Sequence, residues 1–122
     1  NISGIGAHTP DWEFTIGGPV NAALVNFTKA IADGGLREGI RVNLVCPGHI
    51  VTDRLHVRIR TRAQRDGTGL EEAREAMRRD MGIARFGDPL DIARVVTFLC
   101  SDDAAYVHGA TIDVDGGATR GI

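Results

Sequence analysis

Three observations predict an α/β fold built on a parallel sheet. Residues 40–46 form a dense apolar run with β-branched members, closed by Pro47-Gly48. Such a run favours a buried strand. Pro-Gly ends it, because Pro lacks an N–H and Gly tolerates unusual dihedrals. Before it, Val20, Ala23, Leu24, Phe27, Ala30 and Ile31 recur at helical spacing as one apolar stripe. Residues 1–3 and 110–115 read as two more short strands, so strand, helix and strand alternate. Parallel strands joined in that order make a right-handed crossover. Ligands in such sheets bind just past the carboxyl ends of strands, so the Pro47-Gly48 turn is the candidate ligand loop.

The remaining elements follow from local signals. Residues 4–18 read as loop, punctuated by Gly4, Gly6, Pro10, Gly17 and Gly18, with Trp12 expected to cap the core edge or, as the alternative, to cover a pocket. Pro19 suits a first helical turn, and Gly34-Gly35 is expected to end the helix over 19–33. Residues 53–82 are helical and polar, split at Gly67 and Gly69. Within them Arg54, Arg58, Arg62 and Arg65 share one face. That row reads as a solvated surface or as a cationic lid over an anionic substrate. Asp88-Pro89-Leu90-Asp91 carries an N-cap Asp, a Pro at N1 and an acid at N3, which starts a helix. From Leu90 to Cys100 apolar residues occupy nearly all faces, as in a helix buried between layers or at a subunit contact.

Composition narrows the function classes. The chain has 122 residues, 43% of them apolar and 25% charged, which suits one domain with a modest core. A net charge of −2 gives no general nucleic-acid partner. Thirteen of the basic residues are Arg and one is Lys29, so few amines are available for catalysis. Cys46 and Cys100 sit in apolar segments, are expected buried and free, and fit a reducing cytoplasm. No apolar run spans a membrane, no secretory signal stands at the start, and no metal site is read from the spacing. The opening Asn1-Ile2-Ser3-Gly4 looks like the end of a strand, so residues 1–122 are expected to be a single partial domain of a longer polypeptide.

The run Arg41-Val42-Asn43-Leu44-Val45-Cys46-Pro47-Gly48-His49-Ile50-Val51-Thr52 resembles the short-chain dehydrogenase/reductase family. So do Arg85-Phe86-Gly87-Asp88-Pro89, Phe98-Leu99-Cys100-Ser101-Asp102 and the closing Gly109 to Gly117 segment. The resemblance implies the carboxyl-terminal half of a Rossmann-like, doubly wound parallel sheet in three α/β/α layers, incomplete at its first strand. It implies NAD or NADP as cofactor. Pro47, Gly48, Ile50 and Thr52 then hold the nicotinamide end, while a pyrophosphate-binding Gly-rich turn is absent. The lid reading of the Arg row makes residues 53–82 substrate-lid helices, and the resemblance implies homo-oligomers assembled through the helices near 19–33 and 89–101 and the last strand. The exposed edge of the sheet then pairs with the missing amino-terminal half or another chain.

In the family a Tyr exchanges the carbonyl proton, a Lys four residues later lowers the Tyr pKa, and a Ser thirteen residues earlier polarises the carbonyl. Aligned on Asn21-Ala22-Ala23-Leu24, the Tyr position is Gly17, the Lys position Asn21 and the Ser position Gly4, with Ser3 beside it. Gly17 moves no proton, and Asn21 carries no charge. The candidate catalytic residues are therefore Ser3 and His8, with Asp11 and Glu13 nearby and Lys29 and Tyr106 more remote. Two functions stay open: an NAD(P)-dependent oxidoreductase acting on a carbonyl or alcohol, or a catalytically inactive binding or scaffolding subunit.

Overall fold

The computed structural model describes residues 1–121. Strand β1 (Leu44–Pro47) pairs in parallel with β2 (Thr111–Val114), Leu44 opposite Thr111 and Pro47 opposite Val114. Ile2 extends this sheet through a parallel bridge to Val45. Asn1 O accepts from the Val45 N–H, and the Ser3 N–H donates to Val45 O. The order across the sheet is therefore residues 1–3, β1, β2. The strands are shorter than the sequence predicts. Residues 40–43 lie outside the ladder because their backbone groups bond elsewhere: the Ile40 N–H donates to Gly35 O, the Val42 N–H to His108 Nδ1, and Asn43 O accepts from the Asn1 ammonium, while the Asn43 side-chain amide bridges Val107 O and the Ala110 N–H.

Helix α1 (Gly17–Glu38) covers one face of the sheet and runs past Gly34-Gly35, which the sequence reading took as its end. It stops at Gly39, whose φ of 68° is the left-handed conformation that favours Gly. Gly35 has a packing role instead. A Cβ there would lie 2.5 Å from Ile40 O, so only Gly lets the returning chain approach.

The apolar stripe of α1 is not its core face. Gly18, Thr28, Ala32 and Gly35 are the buried residues. Val20 and Phe27 are more than half exposed, and Ile31 also faces outward. Small side chains bring the helix close to the sheet. Asn1 Nδ2 reaches Thr28 Oγ1 at 2.9 Å, and His108 Nε2 lies 2.9 Å from Ala32 O.

Helix α2 (Asp53–Asp66) and helix α3 (Leu70–Asp80) leave the sheet and form a hairpin. Leu55, Ile59 and Ala63 of α2 pack on Ala73 and Met77 of α3, with Ile83 and Phe86 closing the cluster. The split at Gly67 is as the sequence predicts; its φ of 66° caps α2.

Helix α4 (Pro89–Cys100) covers the second face and completes three α/β/α layers. Its capping box forms as expected: Asp88 accepts from the Leu90 N–H at 2.8 Å, and Asp91 accepts from the Asp88 N–H at 2.7 Å. The Arg85 guanidinium beside Asp91 holds that carboxyl down to about 2. Leu99, with Ile92, Val95 and Val96, packs on Val45, Ile112 and Val114. At the other end the Arg41 guanidinium donates to the carbonyls of Leu99, Ser101 and Ala104. A cation there satisfies acceptors that no helical N–H reaches. Leu90 and Phe98 remain exposed, so α4 is buried on one side only. Cys100 is exposed as well, contrary to expectation, because Leu99 rather than Cys100 faces the core.

Candidate active site

A cleft of about 760 Å³ opens past the carboxyl end of β1. The segment after the first strand forms one wall, and the Pro47–Thr52 loop with the start of α2 forms the other. This is the position that strand topology predicts for a ligand. Pro47, Gly48, Ile50 and Thr52 all line it.

The loop is fixed from behind. The Gly48 N–H donates to Val114 O at 3.1 Å, and a Cβ on Gly48 would lie 2.6 Å from Asp115 Cα. Ile50 bridges in parallel to Gly87: the Gly87 N–H donates to His49 O, and the Val51 N–H donates to Gly87 O. Those bonds use the groups on either side of Ile50, which turns its own N–H and C=O away from Gly87. Thr52 stands at the N-cap position of α2, yet its hydroxyl makes no cap and lies 3.4 Å from Ile50 O. Among the described residues the Ile50 N–H has no hydrogen-bond partner, while the Thr52 hydroxyl donates a long bond to the Ile50 carbonyl.

The proton-transfer positions are different. Ser3 lines the cleft, and its hydroxyl donates to Asn21 O at 3.0 Å. Gly17 is filled by a neighbour: a Cβ there would lie 2.0 Å from Phe14 Cζ. A Cβ on Gly6 would lie 2.9 Å from the same ring, so two glycines make room for Phe14. The Arg54 guanidinium sits 5.4 Å from the Phe14 ring centroid and holds it further. Asn21 Nδ2 faces Gly4, where a Cβ would meet it at 3.1 Å.

The other candidates separate. Asp11 and Glu13 line the cleft, but His8 does not; its Nε2 points to Cys46 and Asp113. Trp12 is 89% exposed at the cleft rim, so it does not cap the core. Lys29 Nζ donates to Gly109 O at 2.7 Å, and Tyr106 is fully exposed. The Arg row divides as well. Arg54 and Arg58 line the cleft, whereas Arg62 pairs with Asp66 and Asp80, and Arg65 pairs with Asp66.

Sequence reasoning missed Phe14 and His49. Phe14 shows only when the chain brings residues 6, 14 and 17 together. His49 had a signal, its place inside the Pro-Gly loop. Burial, then the Arg58 charge, lowers its pKa below the ordinary 6.5, against a smaller opposing effect of Asp115. The unfolded chain therefore takes up this proton first as pH falls. The contribution of His49 to stability is complete above about 6.5 and is lost as pH falls from there toward the native value. His49→Gln is expected to flatten the fall in the urea midpoint between about pH 7 and 5. An equally steep fall in the variant would place the acid sensitivity elsewhere.

Comparison with known proteins agrees with this geometry. A family model described as Enoyl-(Acyl carrier protein) reductase matches residues 1–119. This chain belongs to the short-chain dehydrogenase/reductase family. Meso-2,3-butanediol dehydrogenase of Serratia marcescens is 33% identical over 119 residues, covering 98% of this chain and 42% of that protein. Acetoacetyl-CoA reductase of Shinella zoogloeoides is 36% identical over 93 residues, 76% of this chain and 34% of that protein. Among solved structures, L-sorbose reductase of Gluconobacter frateurii, complexed with NADPH and L-sorbose, superposes with a TM-score of 0.91 at 30% identity. That match covers 99% of this chain and 46% of the reductase. The chain spans less than half the length of these relatives.

Proposed function

We propose that this chain supplies the nicotinamide and substrate side of an NAD(P)-dependent oxidoreductase site for a carbonyl or alcohol. The observation that carries the reading is the Pro47–Thr52 loop on the cleft wall, anchored on β2, with the Ile50 N–H unpartnered among the described residues and Thr52 held only by a long 3.4 Å bond to Ile50 O that a carboxamide could replace. A nicotinamide held there would supply the hydride chemistry that no side chain of this chain provides. The protein's own residues orient and protonate. Ile50 and Thr52 would hold its carboxamide, Ser3 would offer its hydroxyl oxygen, and the proton would come from water or from Asp11 or Glu13. Asn21 offers the ribose an amide where the family has an ammonium. Arg54 and Arg58 favour an anionic substrate, such as a carrier- or coenzyme-A-bound acyl group, with α2 and α3 as its lid. The amino-terminal half that the relatives' length implies would bring the pyrophosphate site.

A second reading, a catalytically inactive binding or scaffolding subunit, is favoured by one observation: Phe14 fills the space of a side chain at Gly17. Titrating the full-length protein with NADH and NADPH, then assaying carbonyl reduction, tests both. Turnover supports the oxidoreductase, binding without turnover supports an inactive binding subunit, and no binding contradicts the oxidoreductase and leaves only the scaffolding role.

Assembly and location belong to the same proposal. The outward apolar residues Val20, Phe27 and Ile31 of α1 and Leu90 and Phe98 of α4 suit contacts between copies. Phe27→Glu is expected to lower the oligomer's sedimentation coefficient, and unchanged assembly would free α1 from that role. Among the described residues no helix is long and apolar enough to cross a membrane. The two free cysteines suit a reducing cytoplasm, which fractionation of cells expressing the full-length protein would test.

A further inference from the structure

We propose that His8, Cys46 and Asp113 form a binding site for one divalent transition-metal ion of the zinc type. The three side chains come from three segments: the turn after Ile5–Ala7, β1 and β2. Sheet register sets Cys46 directly opposite Asp113. His8 Nε2 lies 3.8 Å from Cys46 Sγ and 3.5 Å from an Asp113 carboxylate oxygen. All three donor atoms lie within 4.8 Å of one another.

The arrangement is that of a ligand set rather than a proton relay. A relay passes through both ring nitrogens of a His, with the base on one and the carboxylate on the other. Here thiol and carboxylate approach the same nitrogen. Zinc bonds of roughly 2.0–2.3 Å at tetrahedral angles set donors roughly 3.3–3.6 Å apart. The separations of 3.8 and 3.5 Å are within a few tenths of an ångström of that range, and two of the side chains have room to rotate: His8 is 33% and Asp113 34% exposed. That exposure also gives a metal an entry path and a water in the fourth position.

Cys46 is wholly buried, with His8 and Asp113 against its sulfur. When a divalent ion binds, the S–H bond breaks, the sulfur–metal bond forms and the proton passes to solvent. One thiolate and one carboxylate then neutralise the ion. Sulfur, imidazole and carboxylate donors together suit zinc, and cobalt(II) as its spectroscopic stand-in. The donors are far apart in sequence, which is why spacing gave no metal site. Bound there, the ion would tie the turn that carries the cleft residues Gly6 and Thr9 onto the sheet.

The test uses the full chain with Cys100→Ser, which removes the exposed second thiol. Cobalt(II) is titrated in while the near-ultraviolet thiolate-to-metal charge-transfer band and proton release are followed. One equivalent is expected to produce the band, with zinc abolishing it by displacement. Cys46→Ser should remove the band. Because Cys46 is buried, His8→Ala serves as a second variant that spares the core. It should weaken cobalt binding by at least the about 10–100-fold that losing an outer-shell partner causes. Absence of the band in the parent, or an unchanged band and affinity in His8→Ala, would overturn the site.

Discussion

Placing Tyr at Gly17 and Lys at Asn21 in the full-length protein is expected to give no gain in carbonyl reduction while Phe14 remains. The Tyr Cβ would begin 2.0 Å from Phe14 Cζ, and that ring is lodged against Gly6 and under Arg54. Adding Phe14→Ala opens the space. The phenol then stands one helical turn from the new ammonium, whose charge lowers its pKa toward the working range. A positioned general acid contributes about 10²–10⁴-fold, so the triple variant should exceed the parent in turnover by that order. Gly4→Ser is a compatible fourth change: the close atom a Cβ there would meet, at 3.1 Å, is Nδ2 of Asn21, which the variant already replaces, and Pro47 O lies at an ordinary 3.8 Å. Steady-state rates with one carbonyl substrate at saturating NADPH provide the measurement. Activity in the double variant equal to the triple would mean that Phe14 moves freely. Rapid turnover by the unaltered protein would direct attention to Asp11 and Glu13 as the proton source.

The second large effect concerns the loop. Gly48→Ala puts a methyl 2.6 Å from both Cα and Cβ of Asp115, and the backbone atom cannot rotate away. The loop must separate from β2, which strains or breaks the bond from the Gly48 N–H to Val114 O. Overpacking of this kind costs about 1–3 kcal/mol. A displacement that removes only 1.4 kcal/mol from nicotinamide binding already weakens it about tenfold. Calorimetric titration of parent and variant, with a thermal melt of each, separates the two losses. A variant with parental affinity and melting temperature would show that the loop tolerates the shift.

These effects bear on how far the sequence could be read. The loop was legible because Pro47-Gly48 after an apolar run means a strand end in any context, and the family resemblance extended that to Ile50 and Thr52. The start of α4 was legible for a similar reason: Asp88 and Asp91 cap through contacts within one turn. The packing face of α1 was not. Periodicity finds the apolar stripe and takes it for the core, yet this helix presses Gly18, Thr28, Ala32 and Gly35 on the sheet and turns Val20 and Phe27 outward. The role of Phe14 was beyond reach for another reason. Its meaning depends on two glycines, at 6 and 17, that only the folded chain brings to one ring. Likewise the Arg row looks uniform along α2, and only folding neutralises Arg62 and Arg65 while leaving Arg54 and Arg58 on the cleft.

The central claim is that the Pro47–Thr52 loop seats a nicotinamide. Amide chemical shifts of the isotope-labelled full-length protein, followed as NADH or NADPH is added, test it most directly. Saturable shifts at His49, Ile50 and Thr52, lost in Gly48→Ala, are the result this account predicts. Absence of binding, or saturable shifts that leave those three amides unmoved, would contradict it.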